Sequence, residues 1–184
     1  MSVSELCRAC TGGDKAAVVE ILEKGEVDVN GVNDYDATPL YCAVVNNQVD
    51  IVKLLLKNKD IRLDTLNGDG RSTALYKACV FNRIEIIKEL IRDRRCSYQV
   101  INDPGGYKEP PIMIAAMKGH FEAVKLLGDH PLIDLGFKKG GHGEALVQFV
   151  LMELEDCHET GKITAYQHIA KYLVETRKRI TTDN

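Results

Sequence analysis

Four alanines constrain this chain more than any other feature. Ala9, Ala43, Ala78 and Ala115 are each followed four residues later by a glycine or asparagine, namely Gly13, Asn47, Asn82 and Gly119. These two residue types enter the left-handed backbone region most cheaply, as a helix C-cap or a tight interhelical turn requires. The alanines are spaced by 34, 35 and 37 residues, and a period of that length marks repeated supersecondary units. After every turn the apolar residues recur three and four apart: Val18, Ile21 and Leu22; Val52, Leu55 and Leu56; Ile87, Leu90 and Ile91. The fourth series is Val124 and Leu127, closed by Gly128. This spacing predicts a second helix with one apolar face. Charged residues such as Glu20, Lys24, Lys53, Lys57, Lys88 and Arg92 take the opposite faces. A helix pair this small cannot bury its own apolar face, so the units must stack on one another as a solenoid.

Between the units lie polar stretches that begin like strands. Val27-Asp28-Val29-Asn30 precedes Asn33-Asp34-Tyr35-Asp36, and Ile61-Arg62-Leu63-Asp64 precedes Asn67-Gly68-Asp69-Gly70. Alternation followed by such clusters predicts a projecting hairpin turn. The third connection, from Val100 to Glu109, is longer and predicts a larger loop.

The second unit carries the clearest opening, Thr38-Pro39-Leu40-Tyr41-Cys42-Ala43, and Thr73-Ala74-Leu75-Tyr76-Lys77-Ala78 and Pro110-Pro111-Ile112-Met113-Ile114-Ala115 are weaker copies. Ser4-Glu5-Leu6-Cys7-Arg8-Ala9 is a polar version, and Gly119-His120-Phe121-Glu122-Ala123-Val124-Lys125-Leu126-Leu127 opens a second helix. With these segments the chain resembles the ankyrin-repeat family, whose opening motif is Thr-Pro-Leu-His-x-Ala; here tyrosine stands in place of the histidine. The resemblance covers residues 4–139. It implies an all-α solenoid of stacked helix-turn-helix units with projecting hairpin loops, a single domain of about five repeats. Their approximate limits are 4–37, 38–72, 73–109, 110–143 and an irregular C-terminal capping repeat, 144–180. In that last unit the first helix runs long, from about Glu144 to Cys157. A turn at 158–162 then leads to Ala165–Lys178, with Ile169, Leu173 and Tyr172 facing inward.

Tyr41 and Tyr76 are expected to bond the adjacent loop in place of histidine. Asn30 sits where the family resembles substrates of an asparaginyl hydroxylase, and reads first as a loop cap. Ligands of the family are usually held in a concave groove formed by the hairpin tips and the exposed ends of the first helices. Carried over, the groove positions are Val45, Asn46, Val80, Phe81, Met117 and Lys118, with Tyr35, Arg71 and Tyr107 on the hairpins. Three successive units thus present an apolar residue at one offset, and aliphatic and aromatic anchors rimmed by charge are the make-up of a protein-binding hot spot.

Chemistry is sparse. Cys7-Arg8-Ala9-Cys10 is a CxxC within a predicted helix, lacking the further ligands a zinc site needs. It reads as packing by Cys10 beside a partly exposed Cys7. The six cysteines are scattered, which favours reduced intracellular thiols. Arg92-Asp93-Arg94-Arg95 and Arg177-Lys178-Arg179 fall at helix C-termini, where positive charge complements the dipole. A net charge of −3 gives no electrostatic reason to expect nucleic acid or an anionic membrane as ligand. The chain therefore reads as a non-catalytic protein–protein interaction module: a scaffold, adaptor or inhibitor, monomeric, without cofactor or metal. Its partner would be a protein, and its place the cytoplasm or else the nucleus. The alternative is an enzyme or small-molecule-binding protein using His142, Glu153, Cys157, His158 or His168 in the irregular last unit.

Overall fold

Among the described residues five helix pairs follow one another, and the alternation of their contacts sorts them into two rows. The computed structural model describes residues 2–68, 72–102, 110–133, 135 and 142–182, without the side chains at 98–99, 142–144 and 180–182. The helices are α1 (Val3–Gly12), α2 (Lys15–Lys24), α3 (Pro39–Val45), α4 (Val49–Leu56), α5 (Ala74–Val80) and α6 (Ile84–Arg92). They continue with a short α7 (Tyr98–Asn102), then α8 (Pro111–Met117), α9 (Phe121–Gly128), α10 (His142–Asp156) and α11 (Thr160–Thr182). Helices α1, α3, α5, α8 and α10 stack in order as one row, and α2, α4, α6, α9 and α11 as the other.

Local chemistry sets the helix starts. Ser2 and Glu5 close a capping box on α1, and the Asp14 carboxylate accepts from Ala17 N at 3.0 Å. The hydroxyls of Thr38 and Thr73 accept from Tyr41 N and Tyr76 N, at 3.2 and 3.1 Å. Pro39 and Pro111 stand at the first helical turn, where a missing N–H costs nothing. The turns end as the period requires. Gly13, Asn47, Asn82 and Gly119 have φ of 73°, 58°, 54° and 71°.

The core runs between the rows. Ala43, Ala78 and Ala115 are fully buried, because a larger side chain there would hold neighbouring first helices apart. Ala9 is only half-buried, since no unit precedes it within the chain described. Val18, Val52, Ile87 and Val124 are completely enclosed, as are Leu55 and Leu127. The third position of each series, at Leu22, Leu56 and Ile91, packs against the core from its edge.

Two expectations change. The strand-like segments at 27–30 and 61–64 are not strands; among the described residues, the one bridge outside helices joins Asn67 and Ser72. Their alternation is still physical, since Ile61 and Leu63 are buried while Arg62 and Asp64 are exposed. An extended segment packs one edge onto the stack without a partner strand. The third connection is partly helical, α7 taking its first residues, and the rest of it lies outside the described residues. In the last unit α11 begins at Thr160, so the turn comprises only residues 157–159. Ile169, Tyr172 and Leu173 are buried as expected, and Tyr166 joins them.

Candidate partner-binding groove

Groove residues can only be useful if the units that carry them keep a fixed register. Side chains at the interhelical turns secure it. Gln48 Nε2 donates to the Thr11 carbonyl at 3.1 Å, Arg83 Nη2 to Val45 at 3.5 Å, and His120 Nε2 to Val80 at 3.3 Å. The Tyr166 hydroxyl completes the series on Met117 at 3.0 Å. Thr11, Val45, Val80 and Met117 hold equivalent places two residues after the repeating alanines. Each unit thus ties itself to the last carbonyls of the first helix before it. Burial pushes the His120 imidazole below its ordinary pKa, with Lys118 adding to the effect and the bond to Val80 opposing it.

A second set of ties lies at the opposite end of the units. Arg95 donates to the carbonyls of Leu56 and Asn58, both at 2.6 Å, while Asp93 accepts from its Nε and Nη2 at 2.8 and 2.7 Å. Arg95 holds the Asp93 carboxyl below the usual range. His130 Nε2 donates to Ile91 at 3.1 Å, its Nδ1 accepting from Leu132 N, which fixes the tautomer. Asn30 bonds Asp60 O and Arg62 N at 2.7 and 2.8 Å, so its amide joins two units. The basic cluster at 92–95 accordingly contributes Arg95 to the scaffold.

The hairpin tips are built by asparagine. Asn33 Oδ1 accepts from Tyr35 N and Ala37 N, and Asn67 Oδ1 accepts from Thr38 N at 2.8 Å. Gly68 N bonds Asp36 O at 2.9 Å, joining consecutive hairpins. Between the first tip and helices α1 and α3 lies a cleft of about 510 Å³. Tyr35 and Tyr41 stand over it with Arg8, Thr11, Val45 and Asn46, and Cys7 and Cys42 line its floor.

Sequence-predicted positions fall along this face unevenly. Tyr35 is 83% exposed, Phe81 43% and Met117 38%, whereas Val45 and Val80 are half-buried. Asn46 and Lys118 are exposed, and Asn46 spends one amide proton on Cys42 O at 2.8 Å. The Arg83 guanidinium lies 5.7 Å from the Phe81 ring centroid. Arg71 and Tyr107 lie outside the described residues.

Cys7 corrects the sequence reading: it is buried, with its S–H on the Ala37 carbonyl at 3.4 Å, because the following hairpin covers it. Of the residues of the alternative site, Glu153 and Cys157 both lie near Tyr166 and Lys162. His168 lies against Phe121 at 5.4 Å between centroids, His158 is exposed, and Cys157 faces the Glu159 carbonyl. The His142 side chain is outside the described residues. Among the described residues no three His, Cys, Asp or Glu side chains are placed to hold a metal ion. None of the described helices is long and apolar enough to cross a membrane.

Sequence reasoning missed the turn ladder and Cys42. A unit-by-unit alignment shows only the shared offset of the ladder's side chains, not what they bind. Hydrogen-bonding side chains fill the position five after each of the last three repeating alanines, and Cys42 directly precedes one of those alanines.

A family model described as ankyrin repeats (3 copies) matches residues 4–67 and 60–139. Palmitoyltransferase AKR1 of Debaryomyces hansenii is 36% identical over 63 residues, 34% of this chain and 8% of that protein. BTB/POZ domain-containing protein 3 of Schizosaccharomyces pombe is 35% identical over 66 residues, 35% of this chain and 13% of that protein. The matched region thus spans a small part of the length of these curated relatives. The crystal structure of EF0377, an ankyrin repeat protein, matches with a TM-score of 0.74 at 25% identity, covering 95% of this chain and 81% of that one.

Proposed function

The chain belongs to the ankyrin-repeat family, whose repeats are generally protein–protein interaction modules, and from that premise we propose that it binds a protein through its concave groove without catalysing a reaction. The repeats divide near 4–37, 38–72, 73–109, 110–143 and 144–180, and the chain acts as a monomer inside the cell, binding neither nucleic acid nor membrane. The contact surface comprises Tyr35, Val45, Asn46, Val80, Phe81, Met117 and Lys118, with Arg71 and Tyr107 extending it.

One observation carries this reading: Tyr35 at a hairpin tip, and Phe81 and Met117 at the ends of the first helices of two consecutive units, stay exposed, with the cleft beside Tyr35. Large apolar side chains left exposed in this way mark an interaction surface. A protein ligand would cover them as anchors, and an aromatic anchor of this kind contributes about 2 kcal/mol or more. The test is affinity capture from the native source with the wild-type chain and with a Tyr35→Ala/Phe81→Ala/Met117→Lys variant. Proteins held by the wild type should be lost, about 30-fold weaker for each 2 kcal/mol. If the variant retains every partner at unchanged affinity, the groove is not the binding surface.

A further inference from the structure

The opposite end of the units from the groove holds more positive charge than the fold uses. There the C-termini of α4 and α6 flank an open cavity of about 480 Å³, lined by residues 56–59 and 92–95. Five of those eight residues are cationic, namely Lys57, Lys59, Arg92, Arg94 and Arg95, and one, Asp93, is acidic. Asp60, beside Lys59 in the chain, does not line the cavity.

Arg95 is committed to the scaffold. Its guanidinium covers the carbonyls of Leu56 and Asn58, has those of Lys59 and Ile61 at 3.4 and 3.3 Å, and pairs with the Asp93 carboxylate. The backbone oxygens that would repel an anion at these helix ends are thereby occupied, and the lining carboxylate is neutralised. Lys57, Lys59, Arg92 and Arg94 are exposed, and among the described residues none of the four forms a salt bridge or a side-chain hydrogen bond. Glu85, whose carboxylate feels Arg92, is held by Lys88 at 2.8 Å. Helix dipoles do not account for the surplus. A helix C-terminus carries about half a negative charge, so α4 and α6 supply about one together and Asp93 one more, which leaves about three positive charges unmatched. The chain as a whole is negative, at −3, so this end is a local reversal of sign that draws in anionic groups.

We propose that this cavity is a second binding site, which takes an acidic segment of a protein partner and pairs its carboxylates with Lys57, Lys59, Arg92 and Arg94. Compact phosphate sites surround their ligand with backbone N–H groups at helix N-termini or nests. Here the helix ends are C-terminal, and the four cations stand on long stems, two from each of two successive units, around an open mouth. That arrangement suits charges spaced along a peptide, and basic clusters reading acidic motifs are a recurring mode of peptide recognition. The site is separate from the concave groove and stands whether or not the groove binds a protein.

The experiment follows the anisotropy of a short glutamate–serine peptide carrying a neutral dye as the full chain is added, at low and at physiological salt. The peptide should bind, more weakly as salt rises, and its glutamine–serine counterpart should not. Arg92→Glu/Arg94→Glu should weaken binding about tenfold or more, whereas Tyr35→Ala/Phe81→Ala in the groove should leave it unchanged. Amide NMR of the unaltered chain keeps the test independent of how the variants fold: the peptide should shift residues 57–59 and 92–96. Absence of binding at low salt, shifts centred on Arg177–Arg179 or on the groove, or an equal loss in the groove variant overturns the proposal. So does tighter binding of inorganic tripolyphosphate or of a single-stranded oligonucleotide at the same residues, which would make the ligand a phosphate rather than an acidic protein segment.

Discussion

Replacing Gly128 with alanine should destabilise this protein, although alanine is the better helix former, and a second substitution should reverse the sign. Gly128 closes α9 directly beneath Tyr172 of α11. A Cβ built on it would lie 2.9 Å from Tyr172 Cε1 and 3.1 Å from Cζ, and nearer still to the hydroxyl. The ring has little room to retreat: Tyr172 is 9% exposed, meets Phe121 edge-on at 6.4 Å between centroids, and donates to Asp129 Oδ1 at 2.8 Å. Burial, followed by that bond, raises the phenol to about 12, so it remains the protonated donor. In a helix interior alanine gains up to about 1 kcal/mol over glycine. Overpacking costs about 1–3 kcal/mol, and a displaced hydrogen bond about 1 kcal/mol more. Gly128→Ala should therefore lose about 1–3 kcal/mol. In a Tyr172→Leu background the obstructing ring atoms and hydroxyl are gone, and the same substitution should gain about 0.5–1 kcal/mol, the bare propensity difference. Urea denaturation of the four proteins gives the cycle, and amide exchange at α9 and α11 shows whether the last unit opens alone, as a solenoid end can. An equal loss in both backgrounds would refute the argument that Tyr172 is what excludes a side chain at 128.

Two further outcomes test the ties between units. His120 has a folded pKa below its unfolded value, so its neutral form is favoured in the fold and its contribution is complete above about pH 6.5. That contribution should disappear as the pH falls through the lowered folded pKa, and a His120→Gln variant should lose this part of the pH dependence in denaturation midpoints while keeping a donor for Val80. Arg95→Lys should cost about 2 kcal/mol, read as a shift in the urea midpoint, because an ammonium cannot serve the carbonyls of Leu56 and Asn58 and both Asp93 oxygens at once.

The architecture was legible where chemistry repeats locally. Asn82 announces a turn and Ala78 a close helix contact because backbone conformation and side-chain volume act within a few residues. The ties across units were hidden for the opposite reason. Gln48, Arg83, His120 and Tyr166 share no residue type, and what they bind is a backbone carbonyl, which leaves no mark in a sequence. Cys7 misled because α1 alone would leave it near water, while a hairpin 30 residues later covers it. Ile61 to Asp64 alternated like a strand because one edge of that segment is buried, and alternation reports burial whether or not a partner strand is present. In the groove, Phe81 and Met117 were placed by their offset, but the half-burial of Val45 and Val80 depends on the side chains of the next unit.

The turn ladder also runs in one direction. Among the described units, each after the first gives a side-chain donor backward and each before the last offers a carbonyl forward. An internal unit therefore carries both halves of its connection. A copied segment inserted between two others would arrive able to grip its predecessor and be gripped by its successor, with no change needed on either side. Lengthening from the middle is in this sense chemically self-sufficient. The ladder thus favours growth of such a chain by internal duplication.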